Sequence, residues 1–304
     1  MEFMEKYGKS IKNVRNIGGS VSTGKTRRRK CRRNREYKTF ENIWRKWIYR
    51  KVLSFFFECD KMSGTVLYMT QSRSFGFDFA LTEADMKYKC LIFDLDGTLV
   101  NSIHALTYCT NLSLEKFGLG PLTEEQMMTI VGDGYKMQMR RSLAACGDTD
   151  EAHYEAILPV YMEIFGKYCN YEMHPYDGIM ELTAKAKKLG LKIAVVSNKP
   201  DAQAKKTVEY VFGAGYFDTV IGEQEGVPKK PDPSGALKAA EICGADPSEC
   251  LYFGDTNTDM KTGKNAKMAT VGVLWGFRGR EELEAFHPEF LLEKPQDILK
   301  EIEK

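Results

Sequence analysis

Short apolar runs alternate with amphipathic stretches along the chain from residue 86 onward. The runs are mostly apolar and partly β-branched, which is typical of strands in a buried parallel sheet. The stretches between them, such as 178–189 and 233–243, have helical periodicity, and each is followed by a glycine that suits a helix C-terminus, Gly190 or Gly244. The predicted strands are 91–93, 193–196, 219–221, 251–253 and 270–274.

This order of elements predicts an α/β fold with a doubly wound, Rossmann-like parallel sheet. One segment departs from the alternation, because residues 102–176 contain no convincing strand and show helical patterning broken by glycine-containing turns. A helical cap domain inserted after the first strand is the simplest interpretation. We therefore predict a core formed by residues 86–101 and 177–304, with residues 102–176 as an all-helical cap.

The N-terminal region differs from the rest of the chain in charge. Residues 1–51 hold 17 Lys and Arg against 4 Asp and Glu, a net charge of +13, whereas the remainder holds 27 against 38, a net charge of −11. No recognisable module is predicted there. We interpret residues 1–85 as a basic extension that is disordered or that belongs upstream of the true start codon. The alternative is a basic arm that binds nucleic acid or anionic lipid.

This extension contains one match to the phosphate-binding loop pattern GxxxxGK[ST], at residues 19–26. Such a loop works between a buried strand and a helix whose N-terminal amides face the phosphates. The residues before the match are rich in Lys, Arg and Asn, and a charge run follows it, so neither element is predicted. We interpret the match as a coincidence.

Composition excludes several classes of protein. The eight cysteines form no CxxC or Cys/His cluster, which argues against a structural zinc site and favours reduced thiols. The most apolar N-terminal stretch, residues 52–57, is too short to span a bilayer, and no secretory signal is evident. We predict a cytoplasmic protein with no membrane partner and no nucleic-acid partner. The oligomeric state is not specified by the sequence.

Two carboxylates follow the first predicted strand. Asp94 and Asp96 are two residues apart, so the alternation of an extended chain places them on the same side. Carboxylates so close together need a cation or a shared proton, and a hard ion such as Mg²⁺ both satisfies them and recruits a phosphate. Asp94 can then attack phosphorus while Asp96 protonates the leaving oxygen. Taken alone, however, the motif more often closes a strand as an Asp-Gly turn.

Polar residues also lie at and after the next predicted strand. Ser197 and Asn198 carry a hydroxyl and an amide that can donate to phosphate oxygens, although the pair is also common in turns. Lys230 stands in a loop flanked by prolines, where its charge can offset that of Asp94 and the transferring phosphoryl group. We interpret Lys229 as its solvent-exposed neighbour.

The strand at 251–253 is followed by two more carboxylates. Asp255 is a candidate metal ligand, and Asp259 is a candidate supporting carboxylate four residues later. The alternative is an aspartate that caps the next helix, and one residue can serve both purposes.

Four motifs, in this order, resemble those of the haloacid dehalogenase superfamily, in particular its phosphoglycolate-phosphatase-like branch, subfamily IA. They are DLDGTLV, VVSNK, KKPDP and GDTNTD, at residues 94–100, 195–199, 229–233 and 254–259. The resemblance covers residues 86–304, and the combination is specific although each motif is weak. The helical insertion after the first motif resembles the mobile cap of that branch.

The resemblance implies a role for each matched residue. Asp94 is implied as the nucleophile and Asp96 as the general acid and base. The implied phosphate-binding residues are Ser197, Asn198 and Lys230. Mg²⁺ is the implied cofactor, held by Asp94, Asp255 and the backbone carbonyl of Asp96, with Asp259 in support.

The predicted cap contains candidate substrate residues. Gly132, Asp133 and Arg141 lie in a stretch that resembles the corresponding part of phosphoglycolate phosphatases. Glycine permits close approach, and an arginine can clamp a substrate carboxylate. The alternative is a helix-capping turn beside a solvated basic face. Tyr161 and Phe165 recur at helical spacing, which is more typical of a helix core than of a substrate site.

We therefore predict a Mg²⁺-dependent phosphatase that hydrolyses a small phosphorylated metabolite, with 2-phosphoglycolate as the first candidate, through a phospho-aspartate on Asp94. Phosphoryl transfer of the β-phosphoglucomutase type and pyrophosphate hydrolysis stay open, since those enzymes share the core motifs and the cap type. A non-enzymatic binding protein is disfavoured, because the full set of polar residues is present at the strand ends.

Overall fold

The computed structural model describes residues 86–302, so the predictions for residues 1–85, the phosphate-loop match included, lie outside the described residues. Eight strands occur in this part of the chain: β1 (Cys90–Phe93), β2 (Val100–Asn101), β3 (His174–Pro175), β4 (Lys192–Pro200), β5 (Thr219–Glu223), β6 (Cys250–Gly254), β7 (Ala269–Val273) and β8 (Phe290–Leu292). Six of them form a sheet in the order β5-β4-β1-β6-β7-β8, in which every pair is parallel. The predicted α/β fold with a parallel sheet is confirmed, and the sixth strand, β8, was not predicted.

The central strands are buried on both faces. Leu91 and Phe93 of β1 join an apolar cluster on one face, whereas Cys90 and Ile92 join a second cluster on the other. The neighbouring strands β4 and β6 divide their residues in the same way, and the Phe93 ring stacks on that of Phe253 with centroids 4.5 Å apart. This double burial explains why the strands appear in the sequence as unbroken apolar runs.

The segment predicted as a cap is helical over most of its length. Its helices are α1 (Ile103–Glu115), α2 (Glu124–Ile130), α3 (Tyr135–Ala145) and α4 (Tyr154–Tyr168). They enclose an apolar cluster of their own, which includes Leu114, Met127 and Ile157. The expectation of an all-helical segment is wrong at its C-terminal end, where β3 pairs antiparallel with β2. A ladder of two residues leaves no periodicity in the sequence. The division into a core and a cap domain stays a prediction.

The remaining helices lie between the later strands of the sheet. They are α5 (Ile179–Lys188), α6 (Asp201–Phe212), α7 (Ser234–Cys243), α8 (Asn257–Asn265), α9 (Arg280–Glu284) and α10 (Leu299–Ile302), with short 3₁₀ turns at Pro247–Glu249 and Pro295–Ile298. As predicted, a glycine follows α7, and Gly244 takes the left-handed conformation with φ 69°. No helix within residues 86–302 is long and apolar enough to cross a membrane.

Candidate active site

The polar residues predicted from the strand ends come together at one edge of the sheet. The carboxyl ends of the adjacent strands β4, β1 and β6 lie side by side there, the usual ligand-binding edge of such a sheet. The residues that the structure brings to this edge are Asp94, Asp96, Ser197, Asn198, Lys230, Asp255 and Asp259.

Three buried carboxylates form the centre of the site. One oxygen each from Asp94, Asp255 and Asp259 lies within 4.8 Å of the others. Asp255 and Asp259 have no exposed surface, and Asp94 is only 7% exposed. Within residues 86–302 this is the one cluster of three or more side chains with the spacing of metal ligands.

Lys230 is the cation that partly neutralises the cluster. Its Nζ lies 2.7 Å from Oδ1 of Asp94 and 2.8 Å from Oδ1 of Asp259. Burial alone lowers the pKa of this ammonium, but the charges of Asp259 and Asp94 outweigh that effect and raise the pKa well above its usual value. Lys230 is therefore charged at neutral pH.

One ammonium does not balance three carboxylates in a buried site. Burial, together with the charges of Asp259 and Asp96, raises the pKa of Asp94 to about 7 against the opposing effect of Lys230. Burial and the neighbouring carboxylates likewise raise the pKa of Asp255 well above its usual value. Each shift reports unfavourable negative charge that a bound cation would relieve.

The donor set fits a divalent cation such as Mg²⁺. Oδ1 of Asp94 is buried and, although the Lys230 Nζ is close, no hydrogen-bond donor is aligned to it. An orphaned carboxylate oxygen beside two further carboxylates is the hard oxygen environment that Mg²⁺ prefers. We therefore take Asp94, Asp255 and Asp259 as the residues suited to hold the ion.

Asp255 is oriented by two hydrogen bonds from outside its own strand. The Thr98 hydroxyl donates to Oδ1 at 3.0 Å, and the backbone N–H of Phe277 donates to Oδ2 at 2.9 Å. Gly97, at φ +85°, passes so close that a Cβ there would lie 2.3 Å from the Asp255 carboxylate. The glycine of the first motif therefore makes room for the metal-site carboxylate.

Asp259 has two partners that fix both of its oxygens. Oδ1 accepts from Lys230, while Oδ2 accepts from the N–H and the hydroxyl of Thr256 at 3.1 and 2.6 Å. Thr256 is the N-cap of α8 and Asp259 completes the capping box. The helix cap is thus Thr256, not Asp255, and the capping interaction holds Asp259 against the cluster.

Asp96 stands apart from the carboxylate cluster and is paired with a different cation. Its Oδ1 lies 2.8 Å from Nζ of Lys199, whose side chain is 2% exposed. The same Nζ lies 5.1 Å above the centre of the Phe165 ring, within cation–π range. Lys199 was not predicted as a site residue, although its position at the end of the VVSNK strand was the available signal.

Asn198 holds the loop of Lys230 in place. Its Oδ1 accepts from the Lys230 N–H at 2.9 Å, and its Nδ2 donates to the Lys230 carbonyl at 3.2 Å. The same Nδ2 lies 3.2 Å from the carbonyl of Gly132. The amide therefore already has protein partners, and its predicted role in binding phosphate stays a prediction, as does that of Ser197, whose Oγ accepts from the N–H of Lys199.

A cavity of about 40 Å³ lies between the helical segment and the core residues Asp94, Asp96, Ser197, Asn198 and Lys199, whereas the other cluster residues do not line it. A cavity of this size holds only a few water molecules, so it admits a small group. Its wall on the helical side is formed by Leu106, Val131, Gly132, Gly134, Tyr135, Gln138, Tyr161 and Phe165. Tyr161 and Phe165 belong to the helix core, as predicted, and line the cavity as well.

The three candidate substrate residues have different surroundings. Gly132 lines the cavity with φ +118°, a conformation that favours glycine. Arg141 and Asp133 are not among the described residues that line it. Instead, Nη2 of Arg141 pairs with Oδ2 of Asp133 at 2.5 Å, and Nη1 donates to the carbonyl of Ile130 at 2.8 Å. The structure thus does not bring Arg141 to the site.

The interpretation of Lys229 as a solvent-exposed neighbour is wrong. Its side chain is partly buried, and Nζ donates to the backbone carbonyl of Asp133 at 2.6 Å. Asp133 also accepts from the hydroxyl of Thr258 at 2.8 Å. Burial raises the pKa of Asp133, but the hydrogen bonds from Thr258 and Arg141, together with the positive charges of Arg141 and Lys229, outweigh it, so this pKa lies below its usual value.

Comparison with known proteins identifies related chains. A family model described as haloacid dehalogenase-like hydrolase matches residues 91–273. A phosphoglycolate phosphatase from Aquifex aeolicus is 32% identical over 212 residues, which is 70% of this chain and 95% of that protein. The pyrophosphatase PpaX from Listeria monocytogenes is 29% identical over 214 residues, again 70% and 95%. A solved structure of a predicted phosphoglycolate phosphatase from Haemophilus somnus has a TM-score of 0.65 and 25% identity, covering 70% of this chain and 97% of that one.

Proposed function

The chain belongs to the haloacid dehalogenase-like hydrolases and is a phosphatase, and from this premise we propose that it hydrolyses a small phosphate monoester through a phospho-aspartate on Asp94. The observation that supports this most directly is the buried cluster of Asp94, Asp255 and Asp259 with Lys230, whose Asp94 lines a cavity of about 40 Å³. We propose Mg²⁺ as the metal, since the ligands are carboxylate oxygens alone.

Asp94 is the nucleophile in this proposal. One carboxylate oxygen attacks phosphorus in line, and the new P–O bond forms as the bond to the leaving alcohol breaks. A bound Mg²⁺ supplies positive charge that keeps Asp94 ionised and attracts the phosphate dianion. The Lys230 ammonium, 2.7 Å from Asp94, adds a second positive charge where the phosphoryl group lies.

Asp96 moves the protons. In the first step its carboxylic acid gives a proton to the departing alkoxide, and in the second the resulting carboxylate takes a proton from the water that attacks the acyl phosphate. Lys199, 2.8 Å from Oδ1, holds the Asp96 side chain outside the carboxylate cluster. The two aspartates of the first motif thus take different roles because they are paired with different lysines.

We propose 2-phosphoglycolate as the preferred substrate, supported by the phosphoglycolate phosphatase among the relatives and by the small cavity. Pyrophosphate is the second candidate, supported by the pyrophosphatase relative. No Lys or Arg of the helical segment lines the cavity among the described residues, and the one cation that does line it, Lys199 of β4, is already paired with Asp96. The size of the cavity then contributes more to selection than a charge clamp does.

Phosphate release measured with Mg²⁺, and with EDTA as control, tests this proposal. The panel contains 2-phosphoglycolate, β-glucose 1-phosphate, pyrophosphate and nucleoside monophosphates. We expect metal-dependent release that is fastest with 2-phosphoglycolate. Faster phosphate release from another member of the panel would support Asp94 as the nucleophile but would change the proposed substrate. No release from any of them, or a bisphosphate formed from the sugar phosphate, contradicts the hydrolase proposal and favours phosphoryl transfer.

A further inference from the structure

The turn that follows α2 is held against the sheet edge by side chains of the core. The turn spans residues 128–133 and contains the end of α2 together with Gly132 and Asp133. Four side chains donate hydrogen bonds to it: Asn198, Lys229, Thr258 and Arg278. We call these residues and the turn the clasp.

Arg278 binds the carbonyl groups that the end of α2 leaves without helical partners. Its Nη1 donates to the carbonyl of Met128, and its Nη2 donates to the carbonyl of Val131 at 2.8 Å. A guanidinium is well suited to this position, because the last carbonyls of a helix carry partial negative charge. The contact joins the helical segment to the loop that follows β7.

Asp133 receives two donors from different core elements. The Thr258 hydroxyl of α8 donates to its Oδ1 at 2.8 Å, and Nζ of Lys229 donates to its backbone carbonyl at 2.6 Å. Oδ2 is held by Arg141 within the helical segment itself. The Arg141 pair therefore orients the Asp133 carboxylate toward α8, which gives Arg141 a task other than binding substrate.

Each donor of the clasp is the chain neighbour of a residue that builds the site. Asn198 follows Ser197, Lys229 precedes Lys230, Thr258 precedes Asp259, and Arg278 follows Phe277, whose N–H holds Asp255. Contact with the turn is thus made by the loops that carry Ser197, Lys230, Asp259 and Phe277, whereas the loop after β1 that carries Asp94 supplies none of these donors. A displacement of the turn would be felt one residue away from each of those groups.

We propose that Asp133, Thr258 and Lys229 are positioning residues, which fix Lys230 and Asp259 in the geometry needed for turnover. This inference rests on the proposed function, because it concerns turnover at Asp94. Three donors of the clasp bind backbone carbonyls, whereas Thr258 binds a side chain. The Thr258–Asp133 contact can therefore be removed from either side by substitution.

The test compares Thr258→Val, Asp133→Ala and their combination in the full-length, Mg²⁺-loaded enzyme, with kcat and KM measured on its best substrate. Losing a hydrogen bond to a charged group costs about tenfold, so we expect each single variant to lower kcat by about that factor. The double variant should be no slower than the worse single one, since both remove the same contact. Thr258→Ser restores the hydroxyl and should return kcat to within about twofold of wild type.

Thr262→Val is the matched control. Thr262 lies one turn later in α8, is fully buried, and donates only to the Thr258 carbonyl at 2.7 Å, with no contact to the turn. Its substitution should leave kcat within about twofold of wild type, even if the melting temperature falls. An equal loss of kcat in Thr262→Val, or losses that multiply in the double variant, would overturn the proposal.

Hydrogen exchange of the amides at 128–134 separates the clasp from the chemistry, because it needs no substrate. Thr258→Val should accelerate exchange in this segment and Thr262→Val should not. Unchanged exchange in Thr258→Val overturns the clasp even if the enzyme is an active phosphatase. Conversely, faster exchange in a protein that releases no phosphate from any substrate leaves the contact standing and refutes both the positioning role and the proposed function.

Discussion

The base and the wall of the cavity differ in the residues that form them: the base is charged and the wall is mostly apolar. At the base, Asp94 lines the cavity, and Asp255, Asp259 and Lys230 lie against it in buried positions, so three carboxylates and one ammonium are concentrated in a small volume. The wall contributed by the helical segment is aromatic and aliphatic, and its polar member, Gln138, bonds to Thr110 and Tyr161. The reacting groups are thus confined to the base and to Asp96, which also lines the cavity, and the wall provides size, shape and exclusion of water.

This difference has an energetic consequence. Buried charges that lack one partner cost several kcal/mol, so the base tolerates little substitution. The wall is held by packing, by the neutral hydrogen bonds of Gln138 and by the clasp, and the loss of one such hydrogen bond costs about 1–3 kcal/mol. We therefore expect changes at the base to alter turnover and metal binding strongly, and changes at the wall to alter selection by small factors.

Asp94→Asn tests the base most severely. We expect kcat to fall by at least about 10³-fold, because an amide oxygen is a poor nucleophile toward phosphorus. The circular dichroism spectrum should stay native, since the side chain is nearly isosteric. Asp150→Asn, at an exposed position, is the control and should leave kcat unchanged. Turnover near wild type in Asp94→Asn contradicts the assignment of the nucleophile.

Substitution of Lys230 and of Lys199 compares the carboxylate cluster at the base of the cavity with Asp96, the residue proposed to transfer protons. Lys230→Met leaves Asp94 and Asp259 without their shared cation, and we expect kcat to fall by about 10²–10³-fold. Lys199→Met removes only the partner of Asp96, and a loss of about tenfold is expected there. Steady-state kinetics on the same substrate compares them. A greater loss in Lys199→Met would show that the base is less dependent on its cation than the geometry indicates.

The metal-free protein should be destabilised as the pH rises. The pKa of Asp94 is raised from 3.8 to about 7 in the folded state, so its protonated form favours folding below pH 3.8, and this contribution is lost as the pH rises through about 7. Asp255 is shifted in the same direction. In EDTA, the melting temperature should therefore fall by about 5 °C between pH 5 and pH 7.5.

Two controls test whether the carboxylate cluster causes this dependence of the melting temperature on pH. Mg²⁺ should restore the melting temperature at pH 7.5 and do less at pH 5, where protons compete for the carboxylates. Asp94→Asn should remove part of the slope, because the amide does not titrate. A melting temperature in EDTA that is independent of pH would contradict the account of the base as a site with excess negative charge.

The base was predictable from the sequence because each of its residues follows a strand. Strands of a parallel sheet deliver their next residues to one edge, so Asp94, Ser197 and Asp255 could be placed together without knowing any distance. The fold followed from the same feature, since buried parallel strands are continuous apolar runs. Lys199 escaped prediction because a lysine at a strand end is usually solvated, and only the pairing with Asp96 shows its place.

The wall and its contacts could not be predicted in the same way. Arg141 is the type of residue that can bind a substrate carboxylate, but in the structure it pairs with Asp133, eight residues away. The sequence does not predict this pair, because core residues set the direction of the turn that carries Asp133. Arg278 lies in no motif, and Thr258 lies in one without an implied role; both contact the turn only because of how the helical segment lies on the core. Such contacts depend on tertiary packing, which leaves no periodic trace in the sequence.

Arg141→Gln sharpens the comparison at the wall, where the smallest effect is expected. If Arg141 held a substrate carboxylate, its loss would raise KM for 2-phosphoglycolate by tenfold or more relative to a substrate without a carboxylate. Because the structure pairs it with Asp133 instead, we expect the ratio of kcat/KM values for 2-phosphoglycolate and β-glucose 1-phosphate to change by less than about threefold. Both values should fall slightly together, as the Asp133 carboxylate loses its orientation toward Thr258.

Arg140→Gln is the matched control, since this neighbour pairs with Glu151 at the surface and should change neither value. A selective rise of KM for 2-phosphoglycolate in Arg141→Gln would show that a charged residue of the wall binds the substrate. It would contradict the conclusion that charge acts at the base and that the wall selects by size and shape.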